Sequence, residues 1–288
     1  MLRLPTRLAN ATLCAVVGTP ITHSRSPLIH RLFAEQFGIA LQYERIEVLP
    51  GGLREALQQL QGVGCRGVNV TVPLKAEAAA CAVARTAGVD LTGAANTLWW
   101  TETQQLAADN TDGAGLIVDL TRHWGVELEG KDVLLLGAGG AAAGIVPSLL
   151  AAKPALLRIL NRDSQRANAL IQRFKTLGPI CALEQGASLA EPVNILINAT
   201  SAGVAHEVPE FPGNAVTALT HCYDLYYASG STPFLAHVRQ LGANYCRDGL
   251  GMLVEQAAVA FERWHGVLPD TAPVLASLRP AYVATGAP

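Results

Sequence analysis

Val133-Leu134-Leu135-Leu136-Gly137-Ala138-Gly139-Gly140-Ala141-Ala142 consists of four apolar residues, a glycine-rich turn and the start of an alanine-rich run. The apolar part suits a buried parallel strand, and Ala141–Leu150 reads as a helix. In a strand–turn–helix setting such glycines bind a dinucleotide. The first makes the turn, and the second lets the backbone approach a pyrophosphate. The third small position, here Ala142, lets helix and strand close up while the helix N-terminus supplies donors. A tight structural turn or a different phosphate ligand would use the same residues. Downstream the rhythm continues: strand Leu156–Leu160, a helix from about Ser164, strands Ile195–Asn198 and Thr217–Asp224, a helix after Pro233, and a long helix Leu250–Trp264. This is an α/β unit with a nucleotide-binding core.

Upstream the same alternation predicts a second α/β unit. Leu13–Val17 reads as a strand ending in Gly18-Thr19-Pro20. A helix follows near Pro27–Phe37, with Pro27 at its first position and Ser26 as its cap. Leu41–Val48 is a strand, Gly51–Leu60 a helix, and Gly67–Val72 a short buried strand stopped by Pro73. Lys75–Ala87 is alanine-rich and helical, Gly93–Trp100 a turn and strand, and Leu116–Trp124 helical. The tail beyond Pro269 reads as loose. A chain of 288 residues, half of them hydrophobic, accommodates two domains.

Composition narrows the function. A formal net charge of -2 and the lack of basic runs argue against nucleic acid or an anionic membrane as partner. The start MLRLPTRLANATLCAVVG is too short and polar in its apolar part for a signal peptide, and no run suits a bilayer span. The six cysteines are scattered without a CxxC, which fits free thiols in a reducing compartment. The histidines lack ligand spacing, so no metal is expected. The expectation is a soluble cytoplasmic protein acting on a small molecule, as a monomer or homodimer.

Polar residues recur in apolar surroundings. Ser24 and Ser26 follow the first strand. Asn69 and Thr71 alternate with Val68, Val70 and Val72, which places them on the face opposite the valines. Lys75, one of only four lysines, lies beside a buried strand end. Asn96 and Asn110-Thr111-Asp112-Gly113 add amides and a carboxylate. Convergent donors and acceptors of this kind suit a polyhydroxylated ligand, although each alone could be a cap or turn group. After the second strand of the nucleotide unit, where NAD-binding folds usually carry an acid, stand Asn161 and Arg162, with Arg166 further on. Guanidinium groups fit a 2′-phosphate and favour NADP. Asp163 complicates this; a solvated Arg162–Asp163 pair is the alternative.

Over roughly residues 13–265 the sequence resembles the shikimate dehydrogenase family. The resemblance is carried by Val17-Gly18-Thr19-Pro20 through His23-Ser24-Arg25-Ser26-Pro27, Asn69-Val70-Thr71-Val72-Pro73-Leu74-Lys75, Gly93-Ala94-Ala95-Asn96-Thr97, Asn110-Thr111-Asp112-Gly113, and Gly137 to Ala142. Asn198-Ala199-Thr200-Ser201-Ala202-Gly203, Tyr223-Asp224 through Thr232-Pro233, and Asp248-Gly249 through Gln256 complete it. It implies an N-terminal α/β substrate-binding domain completed by C-terminal helices (residues 1–112 and 248–288), with an inserted Rossmann-like NADP-binding domain (113–247). It implies NADP-dependent, reversible reduction of 3-dehydroshikimate to shikimate, with substrate and nicotinamide meeting in a cleft. Carried over by motif, substrate contacts fall on Ser24, Ser26, Thr71, Lys75, Asn96, Asp112, Tyr227 and Gln256, and Lys75 and Asp112 are catalytic. Cofactor contacts fall on Gly137, Ala138, Gly139, Gly140, Ala141, Asn161, Arg162, Arg166, Thr200, Leu225 and Gly249. Asp163 departs from the family's common threonine. Two other readings stay open: a quinate/shikimate dehydrogenase with relaxed substrate and NAD/NADP use, and a non-catalytic nucleotide-binding sensor.

Overall fold

The structure, a computed structural model, describes residues 8–228 and 230–279. The chain forms two compact units. Among the described residues, the first comprises residues 8–112 together with Leu253–Val274, and the second Gly113–Met252 together with residues 275–279.

In the first unit, strands β1 (Thr12–Gly18), β2 (Leu41–Glu47), β3 (Cys65–Val70), β4 (Ala84–Arg85), β5 (Thr97–Trp100) and β6 (Leu106–Asp109) form one sheet in the order β2-β1-β3-β5-β6-β4. Helices α1 (Ser26–Gln36), α2 (Leu53–Gly62), α3 (Lys75–Cys81) and α4 (Ala87–Thr92) connect them. β1 pairs in parallel with β2 on one side and β3 on the other. Both its faces are covered, as its unbroken apolar run requires. Leu13, Ala15 and Val17 pack with Leu53, Leu57 and Leu60, while Cys14 packs with Ala260 and Trp264. Gly67 is glycine because the Trp264 ring occupies the place of its side chain, 2.2 Å from where a Cβ would be. The chain reverses direction across the sheet at the carboxyl end of β1, and in open α/β sheets ligands sit at such a point.

In the second unit, β7 (Asp132–Leu136), β8 (Leu156–Leu160), β9 (Ile180–Ala182), β10 (Ile195–Asn198), β11 (His221–Asp224) and β12 (Tyr245–Asp248) form an all-parallel sheet in the order β12-β11-β10-β7-β8-β9. This is the doubly wound arrangement, with its switch point between β7 and β10. Helices α5 (Asp112–Val118), α6 (Gly140–Ala151), α7 (Ser164–Phe174) and α8 (Pro233–Gln240) belong to this part of the chain. α9 (Leu250–His265) and α10 (Thr271–Leu278) follow.

Several expectations are corrected. The helix expected to run to Ala87 stops at Cys81, because Ala84 and Arg85 pair with Ala107 and Ala108. The strand expected from Thr217 begins at His221. Thr217 and Thr220 close a turn instead, the Thr217 amide donating to Thr220 Oγ1 at 3.0 Å. The helix expected at Leu116–Trp124 starts at Asp112 and ends in a wider π turn, Asp119–His123. The tail beyond Pro269 is not loose over its described part: α10 buries Val274, Leu275 and Leu278. Ser26 lies inside α1 and does not cap it; the capping position is Arg25, whose side chain makes no capping hydrogen bond. Strand β3 ends at Val70, so Val72 is 68% exposed and does not share the buried face of Val68 and Val70. The second break between units lies at Met252/Leu253, inside α9, rather than before Asp248, and the described residues 275–279 group with the second unit. The first seven of the ten N-terminal residues lie outside the described part; the Leu8 amide donates to Gln42 Oε1 at 2.8 Å.

Candidate active site

The loop after β3 and the start of α3 place Lys75, while the start of α5 places Asp112. Their side chains meet, Nζ to Oδ2 2.5 Å, at 20% and 7% exposure. A lysine in the first turn of a helix opposes the helix dipole, whereas an aspartate there is favoured; the contact offsets the first with the second. The Ala95 amide donates to the Lys75 carbonyl at 2.9 Å, fixing the helix start against the Asn96 loop. Asn96 Nδ2 lies 2.8 Å from Asp112 Oδ1, 2.9 Å from Thr111 Oγ1 and 3.1 Å from Gln256 Oε1. Its Oδ1 accepts from the Thr111 amide at 2.9 Å. Four residues from three sequence motifs thus form one hydrogen-bonded cluster around the Asn96 amide, and Lys75 joins it through Asp112. The threonine among them, Thr111, belongs to a quoted motif but was not itself predicted as a site residue. Its neighbour Asn110 accepts from the Asp112 amide at 3.1 Å, so this polar segment serves as both cap and site.

Elsewhere in the same unit, Ser24 Oγ and Ser26 Oγ are 3.2 Å apart. Asn69 is buried under the site: its Oδ1 accepts from the Tyr43 hydroxyl at 2.6 Å, and its Nδ2 donates to the Asn96 carbonyl at 3.2 Å. The hydroxyl of Thr71 makes no hydrogen bond among the described residues and is free for a ligand. Tyr227 belongs to the second unit, half-buried after β11 with its ring stacked on Tyr226 at 6.4 Å.

The nucleotide residues lie together in the second unit. Gly137 has φ +104°, which a side chain would strain, and a Cβ there would lie 3.1 Å from the Ala199 carbonyl. A Cβ on Gly139 or Gly140 would meet only open space, so the backbone at the head of α6 is uncovered. Ala142 is fully buried, as close approach of helix and strand requires. The Ala138 amide donates to Asn161 Oδ1 at 3.2 Å, linking the turn to the end of β8. Asp163 is the N-cap of α7, accepting from the amides of Gln165 (2.9 Å) and Arg166 (3.3 Å), and its Oδ2 is 3.4 Å from Arg166 Nε. It is therefore engaged with Arg166 and not with Arg162. The Arg162 side chain is exposed and makes no ion pair among the described residues.

Thr200, Leu225 and Gly249 are held by a buried polar network that sequence reasoning did not single out. Thr200 Oγ1 donates to Asn198 Oδ1 (2.7 Å), Asn198 Nδ2 to Asp224 Oδ1 (3.0 Å), and Thr232 Oγ1 to Asp224 Oδ2 (2.6 Å). A side chain on Gly249 would run into the Leu225 carbonyl, 2.2 Å from a Cβ. Burial pushes the Asp224 carboxyl up to about 6, against the opposing pull of its bonds from Thr232, the Tyr226 amide and Asn198. Raised in the folded state, this carboxyl contributes stability that is full below about pH 4 and lost as pH rises through about 6. Asp224→Asn is expected to flatten that part of the pH dependence, read as the denaturation midpoint of parent and variant from pH 4 to 7. Parallel curves would show that Asp224 does not titrate in this range.

Family models match most of the chain. Residues 16–98 match the shikimate dehydrogenase substrate binding domain, 119–206 the shikimate/quinate 5-dehydrogenase model, and 249–279 the shikimate 5′-dehydrogenase C-terminal domain. The shikimate dehydrogenase (NADP(+)) of Alkalilimnicola ehrlichii is 45% identical over 266 residues, covering 92% of this chain and 98% of that protein. That of Aromatoleum aromaticum is 47% identical over 268 residues, 92% and 96%. The crystal structure of shikimate 5-dehydrogenase from Thermus thermophilus in complex with NADP(H) and shikimate is 32% identical, with a TM-score of 0.82 over 94% of this chain and 99% of that chain.

Proposed function

The chain belongs to the shikimate dehydrogenase family, and we propose that Lys75 and Asp112 carry its chemistry. The reaction is NADP-dependent, reversible reduction of 3-dehydroshikimate to shikimate, a step of aromatic amino acid biosynthesis. The observation that supports the assignment is the 2.5 Å contact of Lys75 Nζ with Asp112 Oδ2, set among Asn96, Thr111 and Gln256.

In this reading the carboxylate of the substrate lies at Ser24 and Ser26, and its hydroxyls are bound by Asn96, Asp112 and Gln256. Thr71 offers a free hydroxyl to the same ligand, and Tyr227 is a further substrate contact in this reading. Reduction leaves negative charge on the carbonyl oxygen, and Lys75 Nζ at that oxygen stabilises it and delivers the proton. In the oxidation of shikimate Lys75 takes the proton back. Asp112 holds the ammonium in place and accepts from the neighbouring hydroxyl.

The uncovered backbone at the head of α6, the positive φ of Gly137 and the unpaired Arg162 suit a dinucleotide carrying a 2′-phosphate. Gly137, Ala138, Gly139, Gly140 and Ala141 would hold the pyrophosphate, Asn161, Arg162 and Arg166 the adenosine end, and Thr200, Leu225 and Gly249 the nicotinamide end. When bound, NADPH supplies the hydride. Asp163 is occupied in capping α7 and pairing with Arg166, so Arg162 is assigned the larger share of the phosphate contact. Free thiols among the described cysteines are in keeping with a cytoplasmic protein, and no helix among the described residues is long and apolar enough to cross a membrane.

The test is the initial rate of shikimate oxidation with NADP and NAD in parallel, and with quinate as second substrate. Strong preference for shikimate with NADP is expected. Arg162→Ala should raise KM for NADP by about 10- to 100-fold, the loss of one or two charge-assisted bonds, and leave KM for NAD unchanged. Comparable rates with quinate or NAD in the parent would move the chain to the relaxed reading, and no turnover despite cofactor binding to the sensor reading.

A further inference from the structure

Strand β2 lies at the edge of the first sheet, and its outward residues have no role in the reaction as described so far. Alternation along the strand places Tyr43, Arg45 and Glu47 on one face and Gln42, Glu44 and Ile46 on the other, where Ile46 joins the core. Glu47 and Arg45 reach the segment between β1 and α1, while Tyr43 packs on α1 itself. Glu47 Oε1 accepts from the Thr19 hydroxyl at 2.8 Å, at the start of that segment. Arg45 Nε donates to the Ser24 carbonyl at 2.8 Å, at its end. Tyr43, stacked on the buried His30 ring at 4.5 Å, donates to Asn69 at 2.6 Å. Between these holds, the Ser24 amide bonds the Ile21 carbonyl at 3.1 Å, and Ile21 is buried. The serine loop is thus fastened at both ends from β2.

Arg45 differs from the other two in what it leaves unused. Its bond to the Ser24 carbonyl engages one nitrogen with a neutral acceptor, and among the described residues it forms no ion pair. Glu44, the nearest acid in sequence, lies on the opposite face of β2 and accepts from Gln42 Nε2 at 3.0 Å; Glu47 accepts from Thr19. A guanidinium with spare donors, held at the carbonyl of Ser24 whose hydroxyl bonds that of Ser26, is suited to an anionic group, and a carboxylate matches its fork. The hydroxyls alone offer two neutral donors, which is a weak hold on a charged group.

We propose that Arg45 is a positioning and specificity residue for the carboxylate of the substrate, acting both by setting the Ser24 carbonyl and by supplying the positive charge that the serine hydroxyls lack. This rests on the reading above that the carboxylate lies at Ser24 and Ser26. It makes the β2 edge the element that selects a cyclic polyol acid over its uncharged analogue, separately from the Lys75–Asp112 pair that carries the reaction.

The experiment compares the parent, Arg45→Ala and Arg45→Lys with shikimate and with its methyl ester, each at saturating NADP and at two salt concentrations. Arg45→Ala is expected to raise KM for shikimate about tenfold, the scale of a charge-assisted bond, with kcat within about twofold. The methyl ester should show little difference between parent and variant. Arg45→Lys should recover most of the loss, and the parent KM for shikimate should rise with salt more than that of Arg45→Ala. Equal losses on acid and ester would overturn the proposal, since Arg45 would then act only on the shape of the loop; so would an unchanged KM. A parent that fails to oxidise shikimate overturns the family-level reading and this role with it, whereas an active parent with an indifferent Arg45 overturns only the role.

Discussion

Lys75→Ala is expected to lower kcat for shikimate oxidation by about 10²- to 10⁴-fold, with KM for shikimate changing far less. The asymmetry follows from where the ammonium is needed. In the proposed reading the ground-state substrate is held by hydroxyl and amide groups distributed over Ser24, Ser26, Asn96 and Gln256, and these remain. Charge on the reacting oxygen develops only on the way to the transition state, so the loss of its partner falls on kcat. The fold should tolerate the change. Lys75 begins α3, where a cation opposes the helix dipole and alanine is the best helix former. Asp112 keeps its bond from Asn96 at 2.8 Å and its favourable place at the head of α5. Lys75→Arg separates charge from proton transfer: it retains a cation but cannot release a proton at neutral pH, so it too should be strongly impaired. Near-normal turnover by purified Lys75→Ala enzyme, with an unaltered melting temperature, would remove Lys75 from the reaction.

The lysine was legible in the sequence because it violates an ordinary pattern. One of four lysines in the chain stands two residues after a proline that ends a buried valine-rich strand. The glycine turn was legible for a similar reason, since the apolar run, the small residues and the following helix all agree. Residues whose partners are remote were not legible. Thr111 reads as a turn residue, yet its hydroxyl bonds the Gln256 carbonyl at 3.1 Å, 145 positions away. Asp224 reads as the polar end of a strand, and only the folded chain brings Asn198 and Thr232 to its two oxygens. The short strands were lost because they carry little signal. β9 has three residues, and β12 is an edge strand ending in Arg247 and Asp248, whose charge argues against a strand until the buried acid beside it is known. Asp163 shows the opposite failure. Its carboxylate reads as a threat to phosphate binding, yet its position before Ser164-Gln165-Arg166 equally announces a helix cap, which is what it forms.

Asp119→Ala is expected to destabilise the protein by about 3–5 kcal/mol, the largest stability effect of any single substitution considered. Asp119 lies in the π turn after α5 and is fully buried. Its Oδ1 is 3.0 Å from Arg247 Nη1 and its Oδ2 accepts from the Tyr223 hydroxyl at 2.7 Å. Burial raises its pKa, opposed by the Tyr223 bond and the Arg247 charge. Alanine leaves a guanidinium at 15% exposure without its counter-ion and a buried phenol without its acceptor. Arg247 also donates to the His123 carbonyl at 3.1 Å, and it lies on β12, two residues before Gly249, whose backbone is packed against Leu225. Loss of Asp119 should therefore loosen the strand that carries one wall assigned to the nicotinamide end, and KM for NADP should rise along with the fall in stability. A second substitution separates this from mere loss of volume. The Asp119 carboxylate fills the place of a side chain on Gly251, 2.1 Å from where its Cβ would be. Gly251→Ala alone should clash with that carboxylate and destabilise; in the Asp119→Ala background it should be tolerated and fill part of the vacated space. Denaturation midpoints for the four members of this cycle should give a coupling of about 1–3 kcal/mol in the direction of mutual rescue. Additive losses would mean that the chain relaxes around position 251 and that the carboxylate does not set the packing of α9 against the π turn.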